Sequence, residues 1–235
     1  MRPLVSALFI VLTQFIVTTA SAASEPRRVP DTMAQRVLAC TGCHGREGRT
    51  TPEGYFPRIA GKPAGYLYNQ LVNFRDGRRN YPLMVYLVEH LTDEYLREMA
   101  QHFAAIDLPY PPPQPVALPA QQQSRAEALV RRGDPARKIP ACAECHGQQL
   151  LGVEPYVPGL LGLSRDYLYG QLGFWKNGER RAHAPDCMAT IASRLTPEDV
   201  GAVSAWLAAQ PVAKGAKPAA AFATPPSMAC GSIAK

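Results

Sequence analysis

Cys40-Thr41-Gly42-Cys43-His44 reads CTGCH, and Cys142-Ala143-Glu144-Cys145-His146 reads CAECH. Two thiols three residues apart lie on one side of a single helical turn, and the histidine follows at its end. The arrangement suits covalent attachment of a haem. The thiols add to the two vinyl groups on one edge of the porphyrin, and the histidine offers a ring nitrogen to the iron. Two other chemistries use paired cysteines. Four thiolates can hold one zinc, but these pairs stand about a hundred residues apart, each with its own downstream partners. A redox dithiol leaves His44 and His146 without a purpose. Cys40, Cys43, Cys142 and Cys145 therefore read as haem attachment points, for two covalently bound haem c groups.

The pentapeptides belong to a longer internal repeat. Tyr66–Arg79 (YLYNQLVNFRDGRR) matches Tyr167–Arg180 (YLYGQLGFWKNGER), 101 residues further on. Pro57–Gly61 matches Pro158–Gly162. Met84 stands seven residues before Leu91-Thr92, as Met188 stands seven before Leu195-Thr196. His44 and His146 are the first axial ligands this pattern offers; Met84 and Met188, singled out by the repeat, are the second. Thioether sulfur is soft, favours Fe(II) and marks electron-carrying cytochromes. Met33, Met99 and Met228 read as core filler. Pro57 and Pro158 fall where a backbone carbonyl can accept from the outer ring nitrogen of the histidine, or where the proline simply makes a turn.

Each half reads as helices joined by loops. Leu67, Leu71 and Phe74 share one helical face, and Leu168, Leu172 and Trp175 repeat it. Thr92 and Thr196 are N-caps, with Pro197 suited to the first helical position. Leu96, Met99, Ala100 and Phe103 form an apolar stripe, as do Val200, Val203, Ser204 and Leu207. Short helices open the halves near 32–40 and 125–132, and no segment alternates with period two. The fold class is all-α.

The chain has 235 residues. Residues 1–22, with one cation and an apolar run from Leu4 to Val17, read as a Sec-type signal peptide, or as an uncleaved membrane anchor. The site of action is then the periplasm. Residues 23–106 form the first domain, 107–123 a proline-rich spacer, 124–210 the second domain, and 211–235 a disordered Ala/Pro-rich tail. The formal charge of +6 falls to +5 without Arg2. Export and scattered cations argue against nucleic acid as a partner. Clusters at Arg78-Arg79 and Arg180-Arg181 hold haem propionates or meet an acidic partner.

On these residues the chain resembles the cytochrome c4 family of di-haem class I cytochromes c, from about Met33 to Gln210. The resemblance rests on CTGCHG and CAECHG, the proline segments, the two YLYxQL helices and the placed methionines. It implies two tandem class I cytochrome c domains related by a pseudo-two-fold axis, His/Met ligation, and electron delivery to terminal oxidases or other periplasmic redox enzymes, with peripheral membrane association an option. The chain departs from the pattern once. Seven residues separate Gly77 from Met84, but ten separate Gly178 from Met188. The longer loop carries His183 and Cys187, two rivals to Met188 for iron; Cys187 and Cys230 can alternatively form a disulfide. The leading function is single-electron shuttling, with no catalytic residue. A cytochrome subunit of a periplasmic dehydrogenase comes next, and a di-haem peroxidase or thiosulfate-oxidising enzyme last.

Overall fold

The computed structural model describes residues 28–115 and 117–233; the expected leader at 1–22 lies outside them. Thr32–Lys235 forms one compact unit. Its first half contains α1 (Met33–Arg36), α2 (Leu38–His44), α3 (Ala64–Arg75), α4 (Pro82–Val88) and α5 (Asp93–Ala105). The second contains α6 (Ala120–Arg131), α7 (Cys142–His146), α8 (Arg165–Lys176), α9 (Cys187–Arg194) and α10 (Pro197–Ala208). The strands β1 (Gly152–Val153) and β2 (Val157–Pro158) form a single antiparallel ladder. No helix among the described residues is long and apolar enough to cross a membrane.

The repeat in sequence becomes a repeat in packing. α3 packs on α4 and α5; α8 packs on α9 and α10. Thr92 caps α5 by accepting from the Tyr95 amide. Thr196 and Asp199 cap each other's backbone at the start of α10, behind Pro197. Leu96, Met99, Ala100 and Phe103 are all buried in the first core, and Val200, Val203 and Leu207 in the second. Asp199 also binds Arg125 and Arg137 at 2.9 and 2.7 Å, which ties α10 to α6 and to the loop before α7.

The proline-rich segment is pinned to both halves. Arg58 donates to the carbonyls of Leu108 and Pro109 at 2.7 and 2.9 Å and lies over the Tyr110 ring. Tyr110 and Leu118 pack against the second core. Helix α6 starts at Ala120, inside the expected spacer of 107–123, because Pro119 supplies the extended residue before a run of helix formers.

Residues 211–233, expected to be disordered, are fastened to the rest of the chain. Ala219 exchanges backbone bonds with Gly152 and Glu154. The Ser227 amide donates to Glu144, and Asn69 donates to the Ser232 carbonyl at 3.2 Å. Cys187 and Cys230 form a disulfide. Few apolar residues are needed to hold a tail that is fastened through its backbone and one covalent bond.

Candidate haem sites

His44 and His146 end α2 and α7, and a left-handed glycine follows each, Gly45 at φ 74° and Gly147 at φ 79°. A Cβ at Gly45 would strike the Thr50 carbonyl oxygen, so only glycine permits this sharp reversal. Both imidazoles are buried. His44 Nδ1 donates to the Pro57 carbonyl at 2.8 Å, and His146 Nδ1 donates to the Pro158 carbonyl at the same distance. Since a carbonyl only accepts, the proton sits on Nδ1, and Nε2 keeps its lone pair for a metal. Burial, more than any other influence, pushes both imidazoles below their ordinary pKa. They stay neutral, which is the ligating form.

A cavity walled mostly by the second half is lined by Cys142, Cys145, His146 and Met188 together. Leu129, Leu168 and Leu207 add apolar wall. Burial pushes the Cys142 thiol up to about 11, so it is a thiol rather than a thiolate in the bare chain. The two cysteine pairs do not converge: among the described residues no group of three or more His, Cys, Asp or Glu is placed to hold a metal ion. In the first half, Cys40, Met84, Tyr66 and Tyr81 all pack against the same core. Met84 and Met188 both lie in the first turn of a helix, α4 and α9.

The longer second loop is accounted for by two side chains. Asp186 caps α9 and also accepts from the Ala182 amide at 2.7 Å. Cys187 is committed to Cys230, which removes it as a thiolate rival to Met188. His183 is not among the residues lining the cavity. Met228, read as filler, is carried by the tail to the wall of the cavity.

Between the halves lies a cluster that no single motif announced. Arg79 donates to Gln70 and Gln171 at 3.1 and 2.7 Å; Arg180 donates to Gln171 and Gln70 at 2.6 and 2.9 Å. Arg79 lies over Phe74 and Arg180 over Trp175. All three pairs are 101 residues apart, so the pseudo-two-fold axis runs through this cluster. The signal was present: both arginines close the repeated segment. Arg78 plays no part in it and pairs with Asn73 and Asp76. Arg180 is buried, and burial first, then Arg79, lowers it to about 10. Trp175 Nε1 is buried with no hydrogen-bond partner. Both Trp175 and Arg180 line the cavity, where they fit a ligand that carries carboxylates.

A doubled helical fold with a CxxCH helix, a carbonyl-held histidine and a placed methionine in each half defines a di-haem c-type cytochrome. No family model matches the chain. It is 36% identical over 175 residues to a thiosulfate dehydrogenase electron acceptor of Thiomonas intermedia, covering 74% of this chain and 79% of that one. It is 30% identical to cytochrome c4 of Pseudomonas aeruginosa, covering 73% and 84%. The crystal structure of reduced cytochrome c4 from Pseudomonas stutzeri matches with a TM-score of 0.65 at 25% identity, over 75% of this chain and 96% of that one. A thiosulfate dehydrogenase (TsdBA) from Marichromatium purpuratum matches with a TM-score of 0.65 at 30% identity, over 73% of this chain but only 36% of that longer one. The chain belongs to the cytochrome c4 family: it is an electron carrier with two covalently bound haem c groups.

Proposed function

We propose that the chain carries single electrons between periplasmic redox enzymes and performs no chemistry on a substrate of its own. Cys40 and Cys43 hold one haem, Cys142 and Cys145 the other. His44 with Met84, and His146 with Met188, would ligate the two irons. Haem iron, when bound, supplies a one-electron couple. The chain's own residues do the rest: the Pro57 and Pro158 carbonyls fix the histidine tautomer, thioether sulfur favours the reduced state, and the leucine wall excludes water. Arg180 and Trp175, which line the cavity, would meet the haem carboxylates. The observation that carries this reading is the histidine-to-proline bond, made twice at 2.8 Å beside a cysteine pair. With a histidine and a methionine committed to each, neither iron would be open to substrate. Loss of Cys187 to a disulfide removes the one feature that favoured a di-haem enzyme.

The test is the intact mass of the exported protein, together with near-infrared spectra. Two haem additions and one thioether-to-iron band per haem are expected; an unmodified mass overturns the assignment.

A second reading has an observation of its own. α4, which carries Met84, exposes Leu83, Tyr86 and Leu87, and Tyr55 is exposed as well. Relatives named as electron acceptors of a thiosulfate dehydrogenase make a dehydrogenase the fitting donor for such an apolar face, with a terminal oxidase as one acceptor downstream. Slower reduction of a Tyr86→Glu variant by a thiosulfate dehydrogenase, with unchanged potentials, would support it.

A further inference from the structure

The pseudo-two-fold relation breaks at one buried cation. Position 62, two residues before α3, is lysine; its counterpart before α8 is Leu163, an apolar member of the second core. Lys62 is only 8% exposed, and its ammonium donates to the Gly159 carbonyl of the other half at 3.3 Å. Gly159 follows Pro158, whose carbonyl holds His146. Lys62, His146, Pro158 and Gly159 all line the second cavity.

The first half solves the equivalent position differently. Arg58 follows Pro57, and its guanidinium turns to the carbonyls of Ala60, Leu108 and Pro109. In the second half no side chain fits there, because a Cβ on Gly159 would come within 2.5 Å of the Leu151 carbonyl oxygen. The exposed backbone is taken by a lysine from across the molecule instead.

A buried ammonium with one long hydrogen bond is costly. Burial and Arg58 both act against its charge, and no carboxylate contributes in its favour. Lys62 and His146 line the same cavity, so the cation stands in the wall of the proposed iron site. Reduction of ferric to ferrous iron removes one positive charge, so a fixed cation in a low-dielectric wall favours the reduced form. We propose that Lys62 is the residue through which the first half raises the reduction potential of the second half's haem iron, drawing the electron towards the C-terminal site. This rests on the reading of His146 as an iron ligand, and it makes Lys62 a tuning residue that touches neither iron nor substrate.

The experiment uses the holoprotein with Lys62→Met and Lys62→Gln, titrated by potential, the two haems told apart by their haem-methyl NMR signals. In both variants the equilibrium constant for electron transfer from the N-terminal to the C-terminal haem falls about tenfold, ~59 mV for one electron, with the N-terminal haem unmoved. Unchanged potentials, or an equal fall at both haems, overturn the proposal. So does a Lys62→Gln variant that behaves as wild type, since the hydrogen bond to Gly159 would then be the cause. Intact mass separates this failure from the larger one: wild-type protein without two haems sinks the haem reading itself, whereas unmoved potentials in loaded variants sink only the role of Lys62.

Discussion

Arg79 and Arg180 pair backbone to backbone in an isolated antiparallel bridge that joins the two halves. Their guanidiniums each reach the same two glutamines, Gln70 and Gln171. Two cations are thus held together with only neutral oxygens as protein partners at the centre of the repeat. Such a pair is tolerable when an anion faces it, and the carboxylates of a haem in the cavity that Arg180 lines would supply one.

Arg180→Leu in the haem-loaded protein is therefore expected to lose about 3–5 kcal/mol, the usual penalty for breaking a buried ion pair from one side. Guanidinium unfolding of wild type and variant measures it. Stability equal to wild type, or higher, would mean that no anion sits opposite Arg180.

The Cys187–Cys230 disulfide closes a loop across 43 residues of sequence separation. Replacing both cysteines with alanine is expected to remove about 2–4 kcal/mol. It also frees the tail, so protection of the Ala219 amide against hydrogen exchange should fall, since that amide donates to Gly152. An unchanged exchange rate would show that the backbone bonds of Ala219 hold without the disulfide.

The methionines give a pair of predictions that can be counted. Met84→Ala and Met188→Ala should each remove about half of the thioether-to-iron band, open one haem to carbon monoxide and lower one potential. Met228→Ala should leave the band whole, although Met228 lines the same cavity as Met188. Loss of the band in Met228→Ala with its survival in Met188→Ala would exchange their roles.

Which parts of this were legible beforehand follows from how each signal is encoded. The capped helices α5 and α10 were written locally, in Thr92, Thr196 and Pro197 and in stripes of period 3.6, and they fold as read. Cys142, Cys145, His146 and Met188 could be linked because the repeat placed them in register with the first half, and they line one space. The misread parts depend on contacts without periodicity. The tail is held by backbone bonds from Ala219 and Gly231, which composition does not encode. Lys62 is hidden for the opposite reason: a lysine before a helix reads as solvated, and only the fold of the other half buries it against Gly159.

That burial makes a last prediction, in stability rather than potential. Burial, aided by Arg58, lowers Lys62 to about 8 from its ordinary 10.5. Below pH 8 folded and unfolded chains are both protonated, and the folded chain bears the full penalty of a buried charge. Between about 8 and 10.5 the unfolded chain binds more protons than the folded one, so stability rises with pH across that window. At ~1.36 kcal/mol per unit the penalty is about 3 kcal/mol. Lys62→Met should thus be more stable than wild type by about that amount at pH 7. The advantage should shrink from pH 8 upward and vanish near 10.5. Urea midpoints of the two proteins at pH 7, 9 and 10.5 decide it: a gap that stays constant with pH would mean that the ammonium is solvated in the folded protein, and the asymmetry between Lys62 and Leu163 would then have no electrostatic meaning.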